Sequence, residues 1–137
     1  MQNGFLLKDA SLVASTILPV GAAVTTSTAI DLQNSANGDF VAEVEFDLAA
    51  PVLTTGQAPD TKTITYDVIH SVNSNLSSAA VLLPGVIVQT GAGGAGAGAS
   101  TFRFRVPHGV RRYLGFQATG VATVSAAGAT ATLTPKF

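Results

Sequence analysis

The sequence predicts an all-β fold: a two-sheet β-sandwich, jelly-roll-like, with about eight strands. Apolar residues recur at every second position in several segments, and Val, Ile, Thr and aromatic residues dominate those segments. Glycine- or proline-containing turns separate them. No stretch carries the apolar spacing of three and four that marks a packed helix. With 137 residues, of which 47% are hydrophobic and 22 are alanine, the chain fills one core. An up-and-down barrel is the structural alternative that the same pattern allows.

Taken in order, residues 1–18 lack alternation but carry Phe5, Leu6, Leu7, Leu12, Val13, Ile17 and Leu18, much apolar surface for a free tail. They are expected to form an N-terminal arm that docks on a neighbouring copy or on its own sandwich, ahead of a single domain over residues 19–137. Residues 24–32 read as the first strand. Within 39–48, Phe40, Ala42, Val44, Phe46 and Leu48 share one face, opposite Val41, Glu43, Glu45 and Asp47, giving a half-buried strand with an acidic outer face. Residues 61–70 place Ile64, Tyr66, Val68 and His70 against Thr63, Thr65, Asp67 and Ile69. Residues 85–90 follow a Leu83-Pro84-Gly85 turn. In 101–106, Phe102, Phe104 and Val106 oppose Thr101, Arg103 and Arg105, so the outer face is basic. Residues 111–119, 121–125 and 129–134 complete the set. Asn37-Gly38, Ala58-Pro59-Asp60, Pro107-His108-Gly109 and Ala127-Gly128 supply the reversals. The expected interior is Phe40, Val44, Phe46, Ile64, Tyr66, Val68, Phe102, Phe104, Leu114 and Phe116.

Only 11% of residues are charged and the net charge is -1, so the chain lacks the basic surplus needed to coat nucleic acid or an anionic membrane. No cysteine is present, which removes disulfides, thiolate metal sites and thiol catalysis. The apolar stretch near the start is interrupted by Ser11, Ser15, Thr16 and Pro19, and Lys8 is cancelled by Asp9, which argues against a secretory signal. Signs are segregated: Arg103, Arg105, Arg111 and Arg112 fall close together, Asp39, Glu43, Glu45 and Asp47 form an acidic group, and no Asp or Glu follows Asp67. Cross-strand pairing within one sheet accounts for that pattern, and so does a docking surface for another subunit.

The run Gly91-Ala92-Gly93-Gly94-Ala95-Gly96 matches a dinucleotide-binding spacing, yet no helix follows it and no acid lies downstream; it reads as a flexible connection. Asp67 and His70, three apart on a strand, project to opposite faces and make no acid–base pair. Two histidines without metal-ligand spacing, and serines without a nucleophile elbow, leave no catalytic constellation. The expectation is no enzyme, no cofactor and no metal.

Four segments acquire a joint meaning: Phe5-Leu6-Leu7-Lys8-Asp9-Ala10, Ser27-Thr28-Ala29-Ile30-Asp31-Leu32, Ser71-Val72-Asn73-Ser74-Asn75-Leu76, and Phe104-Arg105-Val106-Pro107-His108-Gly109-Val110-Arg111-Arg112-Tyr113-Leu114. In that order and spacing they resemble the capsid cement, or decoration, proteins of tailed bacteriophages, over nearly the whole chain. The run from Arg105 to Leu114 is the most specific part. The resemblance implies a jelly-roll-like sandwich on the outer surface of the virion capsid, assembled in the host cytoplasm, that bridges major capsid protein subunits and stabilises the head. The clustered arginines lead to the expectation of a homo-dimer or trimer, and the near-zero net charge to that of no nucleic acid or membrane partner. Phe5, Leu6, Leu7, Arg103, Arg105, Arg111 and Arg112 are the candidate interface residues. The Gly91 to Ala99 stretch lies outside the pattern. An extracellular adhesin or pilus-like subunit shares the cysteine-free, all-β composition and is the alternative.

Overall fold

The computed structural model describes residues 12–33 and 44–136. Its strands are β1 (Ala14–Ile17), β2 (Val24–Thr26), β3 (Ile30–Asp31), β4 (Glu45–Ala50), β5 (Thr63–Ser71), β6 (Ala80–Thr90), β7 (Ser100–Arg105), β8 (Tyr113–Gly120) and β9 (Thr130–Lys136). They form two packed antiparallel sheets, so the β-sandwich that the alternation predicts is the architecture observed. The first sheet runs β1-β9-β4-β7; the second runs β2-β8-β5-β6, with β3 also paired to β8.

Alternation decides which face each strand turns inward. Phe46, Leu48 and Ala50 of β4, Ala131 and Leu133 of β9, and Phe104 of β7 are buried. Across the gap, Ile64, Tyr66 and Val68 of β5 and Leu114, Phe116 and Ala118 of β8 are fully enclosed. Phe46 and Phe104 stand directly opposite one another in the ladder, their ring centroids 6.0 Å apart, and Phe102 lies the same distance from Phe104. Stacking at that range adds a directional preference to the burial of three large rings. Val44 and Phe102 line the edge of the core half-buried. Phe40, which was expected inside, lies outside the described residues, as do Phe5, Leu6, Leu7 and the Asn37-Gly38 turn.

Several boundaries depart from the sequence reading. Residues 12–18, assigned to an arm, belong to the sandwich: β1 pairs with β9, and Ala14 and Leu18 are core residues. Residues 24–32 are two strands rather than one. Between β2 and β3 the Ser27 hydroxyl accepts the Phe116 N–H at 3.0 Å and donates to the Thr28 carbonyl at 2.7 Å, so a side chain takes over where the ladder breaks. β4 extends to Ala50, beyond the expected end at Leu48. β6 begins at Ala80 and runs through Pro84-Gly85, which the sequence marks as a turn. It is an edge strand, where proline's missing donor is tolerated, and the register shifts opposite it, with the Asp67 carboxylate accepting the Gly85 N–H at 2.7 Å. Residues 121–125 are no strand: Thr123 has φ 76°, and Val20↔Ser125 is an isolated bridge.

The connections fall at two ends. Those joining β1 to β2, β4 to β5, β6 to β7 and β8 to β9 lie together at the end marked by Ala50 and Gly120. The crossover from Arg105 to Tyr113, the β5–β6 hairpin over residues 72–79, and the exits at Gln33 and Val44 lie at the opposite end. No described helix is long and apolar enough to cross a membrane.

Candidate functional site

The site is best assembled from β8, because its first residues touch all the described motif segments. Tyr113 and Leu114 pair with Asp31 and Ile30 on one side and with Ser71 and His70 on the other. The Leu32 N–H donates to the Arg112 carbonyl at 2.9 Å, continuing that edge by one residue. Segments separated by some forty residues in sequence therefore meet at one end of the sandwich.

Three contacts fasten the crossover of residues 106–112. The Arg112 guanidinium donates two hydrogen bonds to the Asp31 carboxylate, Nε at 2.8 Å and Nη2 at 2.9 Å, and lies over the Tyr113 ring, 5.3 Å from its centroid. The Arg112 bond holds the Asp31 carboxyl below the usual carboxylate range, against a smaller opposing effect of burial. The Arg111 N–H donates to Nδ1 of His70 at 3.0 Å. Val110 at the centre of the crossover is fully buried.

A small apolar cluster sits on the outer face of the second sheet at this end. Ile69 alternates to the outward side of β5 yet is buried, as is Leu76 of the 72–79 hairpin, whose side chain lies at Gly115, the cross-strand partner of Ile69. Gly115 provides the seat: a Cβ there would collide with the Leu76 side chain and stand 2.8 Å from the Ser27 hydroxyl. The hairpin is pinned by the Ser71 hydroxyl donating to the Ser77 carbonyl at 2.7 Å and by Asn75 accepting the Ser77 N–H at 2.9 Å. Leu76 takes φ 59°, a conformation that side chains adopt rarely and that tight packing here sustains.

The remaining arginines lie on the outer face of the first sheet. Arg103 donates to Asp47 from Nε at 2.8 Å and from Nη2 at 3.3 Å, and Arg105 lies 3.6 Å from Glu45, each pair directly cross-strand. Lys136 adds a longer contact to Asp47 at 3.9 Å. Cross-strand pairing thus accounts for Arg103 and Arg105, and the crossover for Arg112. These side chains remain open to solvent, 56% for Arg103, 59% for Arg105 and 44% for Arg112, and at Arg112 the pair with Asp31 leaves further N–H groups of the guanidinium presented outward. Each described ion pair joins an acid from the first half of the sequence to a cation from the second.

The opposite end is built mainly from backbone hydrogen bonds. Residues 91–99, read as a flexible connection, are a hydrogen-bonded loop. Ala97 and Leu53 exchange N–H···O bonds of 2.8 and 3.0 Å, the Gly91 N–H donates to the Lys62 carbonyl at 2.9 Å, and the Asp60 carboxylate accepts the Gly93 N–H at 2.8 Å. Gly96, at φ 68°, lies so close to the Leu53 carbonyl that a Cβ would strike it. Beneath this loop the buried Tyr66 hydroxyl donates to Gln89 Oε1 at 2.6 Å, while Gln89 Nε2 donates to the carbonyls of Pro51 at 2.7 Å and Gly98 at 2.9 Å. Desolvation pushes the Tyr66 hydroxyl pKa well above its ordinary value.

Asp67 and His70 face opposite sides of β5: Asp67 bonds the Gly85 N–H and Gln117, and His70 turns inward. Among the described residues no three His, Cys, Asp or Glu side chains gather in a way that could hold a metal ion. No family model matches the chain, and no curated protein matches it.

Proposed function

We propose that this chain is a structural virion protein that binds the outside of an icosahedral phage head and stabilises it by bridging major capsid subunits. The observation that supports this reading is the convergence of Ser27–Leu32, Ser71–Leu76 and Arg105–Leu114, the segments that resemble capsid cement proteins, on one end of a β-sandwich. Segments brought together by the fold form one surface, whereas the same resemblances scattered over the molecule would argue against a shared origin for it. On that surface Arg112 uses two N–H groups for Asp31 and keeps others for a carboxylate outside the chain. A sparsely charged sandwich suits dense packing on a shell, where many weak contacts add through avidity.

The test is addition of the purified protein to expanded phage heads that lack it, imaged by electron microscopy. Regular density on the outer surface, with the Arg112 end toward the shell, is the expected result. Replacing Arg111 and Arg112 together by Ala should lower occupancy of the heads, and rising salt should imitate part of that loss. Absence of density at saturating protein would overturn the proposal. Analytical ultracentrifugation of the free protein reads the dimer or trimer directly.

A further inference from the structure

We propose that His70 is an acid-sensitive latch on the 106–112 crossover, closed through the Nδ1 acceptor it offers to the Arg111 N–H and opened when the imidazole takes up a proton. This rests on the fold alone and stands apart from the reading of shell binding.

The geometry admits one protonation state. A bond of 3.0 Å from the Arg111 N–H to Nδ1 requires a free lone pair on that nitrogen, so the ring is neutral with its proton on Nε2. Protonation of Nδ1 sets two donors against each other. It also places a positive ring, only 9% exposed, at a site flanked by Arg111.

Nothing described around the ring compensates that charge. The crossover contributes Arg111, Arg112 and His108; β8 contributes Tyr113; β6 contributes no titratable group. Asp67 on β5 lies on the opposite face. Asp31 of β3 is engaged by Arg112. The charges of β4, β7 and β9, which are Glu45, Asp47, Arg103, Arg105 and Lys136, stand on the outer face of the other sheet. Burial, and after it the Arg111 charge, holds His70 below the ordinary histidine value.

The sign follows from linkage. A histidine whose folded pKa is depressed contributes its bond in full above the unfolded value of about 6.5, and that contribution is lost as pH falls from there toward the folded value. The Asp31–Arg112 pair persists further, because Asp31 is held below 3.8. The crossover therefore loosens in two steps, the His70 bond first and the ion pair second.

Nuclear magnetic resonance of the full chain between pH 7.5 and 5 reads the first step. Protection of the Arg111 amide, corrected for intrinsic exchange, should fall by up to about tenfold per pH unit below about 6.5 and level off as the His70 imidazole titrates. His70→Asn places an oxygen where Nδ1 sits and does not titrate, so its Arg111 protection should stay flat. The wild-type imidazole nitrogen shifts at pH 7.5 should report an unprotonated Nδ1, a measurement independent of whether the variant folds. A protonated Nδ1 at pH 7.5, a ring that stays neutral at pH 5, an Arg111 amide indifferent to ring protonation, or an equal loss of protection in His70→Asn would each overturn the latch.

Discussion

The two ends of the sandwich are closed by different chemistry. At the Gly96 end, loops interlock through backbone hydrogen bonds, the Asp60 carboxylate on the Gly93 N–H, a glycine that permits near contact, and a buried, neutral Tyr66–Gln89 network. At the crossover end, the fastenings are an exposed bidentate ion pair, one histidine acceptor and a leucine laid over a glycine. Buried neutral bonds are insulated from solvent, so salt and pH reach them little. Exposed ion pairs are weak and screened, and a histidine titrates near neutrality. One end is a fixed closure; the other is adjustable, and it is the one where the motif segments meet.

Substitutions can break or sharpen that contrast. The largest loss should come from the core between the sheets. Phe104→Ala removes a ring stacked on two others and should cost roughly 3–5 kcal/mol in a denaturation midpoint measurement. An unchanged midpoint would contradict the inward assignment of β7. Next is Gly96→Ala, which combines a positive φ with collision against the Leu53 carbonyl and should cost at least about 2 kcal/mol, insensitive to salt. A neutral outcome there would mean that the loop is less tightly held than its hydrogen bonds imply.

Tyr66→Phe tests the buried network. It leaves Gln89 Oε1 without its donor and should cost roughly 1–3 kcal/mol, with little dependence on ionic strength. The smallest effect belongs to the crossover end. Asp31→Asn removes an exposed charge pair, so thermal melting should shift slightly at low salt and hardly at all at high salt. Because the folded Asp31 carboxyl is held below 3.8, its contribution is complete above that value and lost as pH falls through the folded value. Melting curves of wild type and Asp31→Asn should therefore converge in strong acid. A shift as large at high salt as at low would make the two ends alike and end the comparison.

Much of the architecture was legible in the residues. Phe46, Ile64, Tyr66, Val68, Phe104, Leu114 and Phe116 are buried as their period-two spacing requires, since a strand offers only two faces. β1 was not legible because Ala14 to Ile17 is too short to show alternation, and its strand identity comes from pairing with β9. β6 was read short because proline and glycine mark turns in isolation, while an unpaired edge accommodates both. The stretch 121–125 looks like a strand in composition, but Val20↔Ser125 is the isolated bridge formed there.

By itself, the sequence determined the fold class, the inward faces and the separation of acids from arginines along the chain, because these depend on local periodicity and composition. It left open whether Arg103, Arg105 and Arg112 pair within the chain, and only the tertiary structure decided that, by setting β4 beside β7 and β3 beside β8. The Arg111–His70 bond and the Leu76 seat on Gly115 were likewise beyond reach of sequence. The physical reason is common to all three. Spacing along a chain fixes which way a side chain points, while its partner is chosen by strand order and register, which arise from burying both sheets at once.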